Sequence, residues 1–205
     1  MDFKFNELKM DWKVAATIVV STLLIVIDHY NALFPEKWMD HAFLYMVIPV
    51  VWIKIIYRQP LAQFGFRWGD WKAGIIFTLG GWALMTVIMI YVAPTPEFQA
   101  YYTRNQDDPL RLISTVAFDL IGWEFVFRGW LLFTLLPICG PSALILQAVP
   151  FTIAHFGKPQ LETISCIFGG PVYGYIAWRT RSFVYPFAIH WYLTTITILL
   201  SRIPF

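Results

Sequence analysis

Apolar residues in this chain do not recur at the spacing of a soluble amphipathic helix or strand. They run in long blocks, most of them near the ~20 residues that a helix needs to cross hydrocarbon. Seven blocks stand out: residues 14–30, 40–57, 73–93, 111–136, 141–156, 161–179 and 183–202, the fifth being short. Between them lie turn-forming stretches: "FPEKW", "YRQPLAQFGFRWGDW", "APTPEFQAYYTRNQDDP", "CGPS", "FGKPQ" and "RTRS". The pattern predicts an all-α polytopic membrane protein with about seven transmembrane helices. No internal repeat stands out, and residues 1–205 read as one transmembrane domain. The first block follows "MDFKFNELKMDWK", which has no small-residue cleavage site, so it reads as a retained helix rather than a removed signal.

Composition sharpens this picture. The chain is 58% hydrophobic and 14% charged, against about a quarter charged in ordinary soluble domains. Ten Trp and 18 Phe suit a protein anchored at the lipid–water interface. The net charge of +2 and the lack of a basic run exclude nucleic acid as a partner, leaving membrane lipid. Cys139 and Cys166 have no metal or redox spacing and read as core filler. Gly170 and Gly174 form a small-xxx-small pair suited to close helix packing. Lys4, Lys9, Lys13, Lys54, Arg58, Arg67, Lys72, Arg179 and Arg181 fall on the side of the N-terminus. Lys37, Arg104, Arg111, Lys158 and Arg202 fall opposite. The excess places the N-terminus in the cytoplasm.

Ionisable residues inside the apolar blocks are the chemically informative ones. Each costs at least ~2.5–3.5 kcal/mol on insertion scales and marks a functional site by default. They are Asp119, Glu124 and Arg128 in the fourth block, His155 closing the fifth, and His190 in the seventh. Glu124 and Arg128 are four apart, about 40° of helical rotation, and share a face. One reading of them is a self-neutralising pair that holds helices together. A carboxylate with two histidines can also deprotonate water and protonate a leaving amine, which is the chemistry of peptide hydrolysis. For the three to meet, "HFGKPQ" must dip into a water-lined cavity between the last four helices.

Several intramembrane protease signatures are missing. There is no H-E-x-x-H, "GPSA" at 140–143 lacks the closing glycine of a serine site, and "RWGD" only grazes an aspartyl signature. What remains resembles the CAAX prenyl protease and bacteriocin-processing family of intramembrane endopeptidases, whose motifs are E-E-x-x-x-R, F-x-x-x-H and H-x-x-x-N. Here "WEFVFR" stands at 123–128, "FTIAH" at 151–155 and "HWYLT" at 190–194, in the same order on successive helices. The resemblance covers a motif core of about 111–205. It implies a peptide or protein substrate, lipidated or otherwise membrane-bound. It also implies a role for each residue: Glu124 as the second motif glutamate, Arg128 as the arginine, Phe151 as the opening phenylalanine, His155 as the water-activating histidine, and His190 as the histidine that helps hold the oxyanion.

Two positions depart from the pattern. Trp123 replaces the first glutamate, the family's usual general base, and an indole cannot take a proton from water. Thr194 replaces the asparagine and keeps an O–H donor. Three carboxylates offer themselves as the base, in the order Glu124, Glu162, Asp119. Arg128 is expected to hold Glu124 ionised and oriented. His155, His190 and Glu124 also make a set that zinc would accept, although no short ligand spacing demands a metal. Two other readings remain: a catalytically inactive relative that binds membrane peptides, and a small transporter. The lack of repeat symmetry speaks against the transporter.

Overall fold

The computed structural model describes residues 10–103 and 108–203. Lys4, Lys9 and Arg104, used in the charge comparison above, lie outside them. The described residues form helices and turns, with no strand.

Helix α1 is Trp12–Tyr30, capped by Asp11, whose carboxylate accepts from the amides of Lys13 and Val14. Helix α2, Lys37–Tyr57, contains two π-helical stretches, Ala42–Val47 and Ile53–Tyr57. Helix α3 is Trp71–Val92, capped by Asp70. A short helix α4, Pro96–Tyr102, folds within the long polar segment that precedes the fourth block, with its proline in the first turn. Helix α5 runs over residues 109–139, starts at the Asp108 cap with Pro109 at its first position, and turns π-helical over Phe125–Leu131. Helix α6 covers residues 143–153, α7 is Gln160–Thr180 and α8 is Val184–Ser201.

Five stretches are long and apolar enough to cross a membrane: Trp12–Tyr30, Lys37–Tyr57, Trp71–Val92, Pro109–Ile153 and Val184–Ser201. The fourth joins α5 to α6, because only the Gly140–Ser142 turn separates them. Large apolar side chains such as Ile76, Leu79 and Phe168 point outward, as they must where the solvent is lipid. The interior is aromatic: Phe125, Phe127 and Trp130 of α5 are fully buried.

Three close approaches set the site. Helix α8 packs on α3 and α5. Helix α7 packs on α6, where a Cβ at Gly170 would stand 2.7 Å from the Ala148 methyl. Gln147 fastens that contact by donating to the Gly170 carbonyl at 2.8 Å. Helix α2 crosses α5 at Gly122, where a Cβ would lie 2.6 Å from the His41 carbonyl oxygen. Only glycine permits that crossing, and it carries His41 to the wall of the site.

Candidate active site

Glu124 and Arg128 sit where α5 leaves α-helical geometry, the last α-helical residue being Glu124. Such π-turns are rare and gather at functional sites. Both side chains are completely buried. Arg128 Nη1 donates to Glu124 Oε1 at 3.2 Å. The guanidinium carbon lies 3.8 Å from the centre of the Phe151 ring and 5.3 Å from that of Tyr173, so aromatic faces take up part of its charge. Arg128 Nε and Nη2 and Glu124 Oε2 have no hydrogen-bond partner among the described residues.

His190 reaches the pair from α8. Its Nδ1 donates to Glu124 Oε1 at 2.7 Å. His155 follows the last turn of α6 and is buried, its Nδ1 held by the Phe151 carbonyl at 2.8 Å. Thr163 of α7 donates to the His155 backbone carbonyl at 2.9 Å; within "HFGKPQ" only His155 and Pro159 are buried, while Phe156, Gly157 and Gln160 are exposed. With both Nδ1 atoms engaged as donors, each imidazole has its Nε2 left for chemistry. The rings lie 6.3 Å apart and 23° from parallel.

Both histidines line a cavity of about 430 Å³, together with Trp123, Asp119, His41 and Asp28. Its rim carries Glu36, Lys37, Tyr101 and Lys158, at the end of the bundle opposite the start of α1. The two motif histidines and Trp123, from motifs spread over residues 123–194, thus converge on one polar, partly aromatic pocket in a chain otherwise built for lipid. Residues 105–196 match the family model described as type II CAAX prenyl endopeptidase Rce1-like. This stretch of the chain is Rce1-like. No curated protein and no solved structure matches the chain. The Rce1-like match supports CAAX-type intramembrane endopeptidase activity in general, on a peptide or prenylated protein at a membrane. With the five apolar helices, it describes an integral membrane protein.

The remaining candidate residues of the Rce1-like core fall in different places. Glu124 touches His190 but does not line the cavity. Glu162 also lies off the wall, held by Tyr102 Oη at 2.5 Å and Lys158 Nζ at 3.0 Å. Burial works against the Lys158 ammonium, yet Glu162 outweighs it and holds the pKa above the usual lysine range. Burial, with Glu162 adding to it against the pull of Lys158, pushes the Tyr102 phenol well above its usual range, so it stays a neutral donor. Thr194 is half-buried one turn beyond His190 and is not part of the cavity wall.

Trp123 is buried against His155, ring centres 5.7 Å apart, and against His41 at 5.1 Å. Sequence reasoning missed His41 and Asp28 as site residues. Each breaks an apolar neighbourhood, which was the available signal, but each sits near a helix end where a polar residue is ordinary.

The proposed zinc set does not fit this arrangement. Both histidines line the cavity, but Glu124, the third member, lies off its wall, with Oε1 bonded to His190 and Arg128 and Oε2 buried. Trp123 occupies the position of the other motif carboxylate. Among the described residues, no three His, Cys, Asp or Glu side chains converge as ligands.

Proposed function

We propose that this protein hydrolyses a peptide bond of a membrane-associated or lipidated substrate inside the bilayer, with His155 and His190 flanking the scissile carbonyl. The observation that carries this reading is the pairing of the two motif histidines across one cavity, His190 being anchored on the buried Glu124–Arg128 pair. His155, its Nδ1 proton fixed on Phe151, presents the Nε2 lone pair to a water and orients it. His190, held on Glu124 through Nδ1, serves as donor to the developing oxyanion through Nε2. A donor preorganised at the developing oxyanion is usually the largest single share of such catalysis. Arg128 neutralises Glu124 and fixes its position. The Lys and Arg excess on the side of the N-terminus supports a cytoplasmic N-terminus, with the cavity mouth on the other face.

The test is turnover by purified protein in proteoliposomes, offered a panel of membrane-spanning and farnesylated peptides and read by mass spectrometry. Cleavage at a defined bond is expected, lost at least ~100-fold in His155→Ala and His190→Ala while both stay folded. No cleavage anywhere in the panel would overturn the reading in favour of a non-catalytic peptide binder.

A further inference from the structure

The cavity wall carries a carboxylate that the three motifs do not use. Asp119 precedes Trp123 by four residues in the regular α-helical part of α5. That spacing leaves about 40° of rotation and about 6 Å of rise between them, so both present to the same face. Asp119 lines the cavity that holds His155 and His190, and its side chain is 31% exposed. The other nearby acids are committed elsewhere. Glu124 is sealed behind His190, Glu162 is held by Tyr102 and Lys158, and Asp28 is bound to Lys37 at 2.5 Å.

Asp119 is also backed by a built support. His41 Nδ1 lies 2.6 Å from Asp119 Oδ1. On the other side of the ring, Nε2 meets Asp28 Oδ2 at 3.1 Å. The chain ammonium–carboxylate–imidazole–carboxylate therefore runs from the Lys37 rim to Asp119. The His41 contact is close but is not an aligned hydrogen bond. Two features deliver the ring to this place: the glycine crossing at Gly122, and the Trp123 indole packed against it at a tilt. The indole that removed a glutamate from the motif thus helps to seat the histidine that supports another acid.

We propose that Asp119 is the general base of this enzyme, one turn from the position its family uses, with His41 and Asp28 as positioning residues. The proposal rests on the endopeptidase reading above. Asp119 takes one proton from a water that His155 orients. The water oxygen bonds to the scissile carbonyl carbon, and the carbonyl electron pair moves onto oxygen, where His190 Nε2–H stabilises it. As the C–N bond breaks, Asp119 returns its proton to the leaving amine. One water is consumed, and the carboxylate is regenerated ionised.

The experiment uses full-length protein in proteoliposomes with whichever panel peptide wild type cleaves. Asp119→Asn should lower kcat about 10²–10⁴-fold, the usual share of general-base catalysis, with KM and thermal unfolding unchanged. Adding Trp123→Glu to Asp119→Asn should restore at least about tenfold, by returning the carboxylate to the family's position. Asp119→Ala gives a second reading, since formate should restore turnover there if the missing group is a base. His41→Gln should lower kcat and add nothing further in combination with Asp119→Asn, because the two act as one unit. Wild-type kcat in Asp119→Asn, beside inactive His155→Ala, would overturn the proposal and leave the endopeptidase reading standing. A loss that neither Trp123→Glu nor formate reverses would mark Asp119 as structural and also overturn it. No cleavage by wild type would remove both.

Discussion

At the scale of single residues, the site is organised around charges that hydrocarbon does not tolerate alone. Arg128 has no exposed surface; among the described residues it meets one carboxylate and the rings of Phe127, Phe151 and Tyr173. Removing one member of such a buried pair typically costs about 3–5 kcal/mol, because the other charge stays behind. Arg128→Ala should therefore lower unfolding stability by about that much and abolish turnover with it, as read by denaturant titration in detergent. His190→Ala should leave stability nearly intact while abolishing turnover, because Glu124 keeps its bond to Arg128. An Arg128→Ala protein as stable and active as wild type would show that the pair is dispensable. The two motif histidines and the Glu124–Arg128 pair were legible in the sequence, because charge inside an apolar block is conspicuous. His41 and Asp28 were not. Asp28 reads as a polar residue near the end of α1 and His41 as one near the start of α2, and nothing local says that these ends meet α5.

Among helices, the decisive contacts run through glycine. The α2–α5 crossing at Gly122 leaves no room for a methyl against the His41 carbonyl. Gly122→Ala should cost about 1–3 kcal/mol by overpacking. It should also push His41 away from Asp119, so kcat should fall further than the stability loss explains. Wild-type kcat in a folded Gly122→Ala protein would show that the crossing does not position the site. The block pattern located these helices because lipid imposes long apolar runs. It could not show the π-helical stretch at Phe125–Leu131, since an extra residue in a turn leaves the hydrophobic run unbroken. Nor could it show α4, because "PEFQAYY" is too short and too mixed to announce itself, although Glu97 of α4 receives the first amide of α7 at 2.6 Å.

As a whole, the molecule joins a lipid-facing exterior to a polar cavity open at one end. The rim residues Glu36, Lys37 and Lys158 lie at the end of the bundle away from the start of α1. With the N-terminus in the cytoplasm, a cysteine replacing Glu36 should react with a membrane-impermeant thiol reagent added outside intact cells, and one replacing Arg67 should not. The reverse pattern would turn the mouth to the cytoplasm and contradict the charge argument. The paired histidines are proposed to hydrolyse peptide bonds within the membrane. The most direct measurement is product formation from a membrane-embedded peptide by wild type, His155→Ala and His190→Ala at matched folded concentration. One defined cut by wild type is expected, with a loss of at least ~100-fold in either variant. No product from wild type, or equal product from all three proteins, would contradict the proposal.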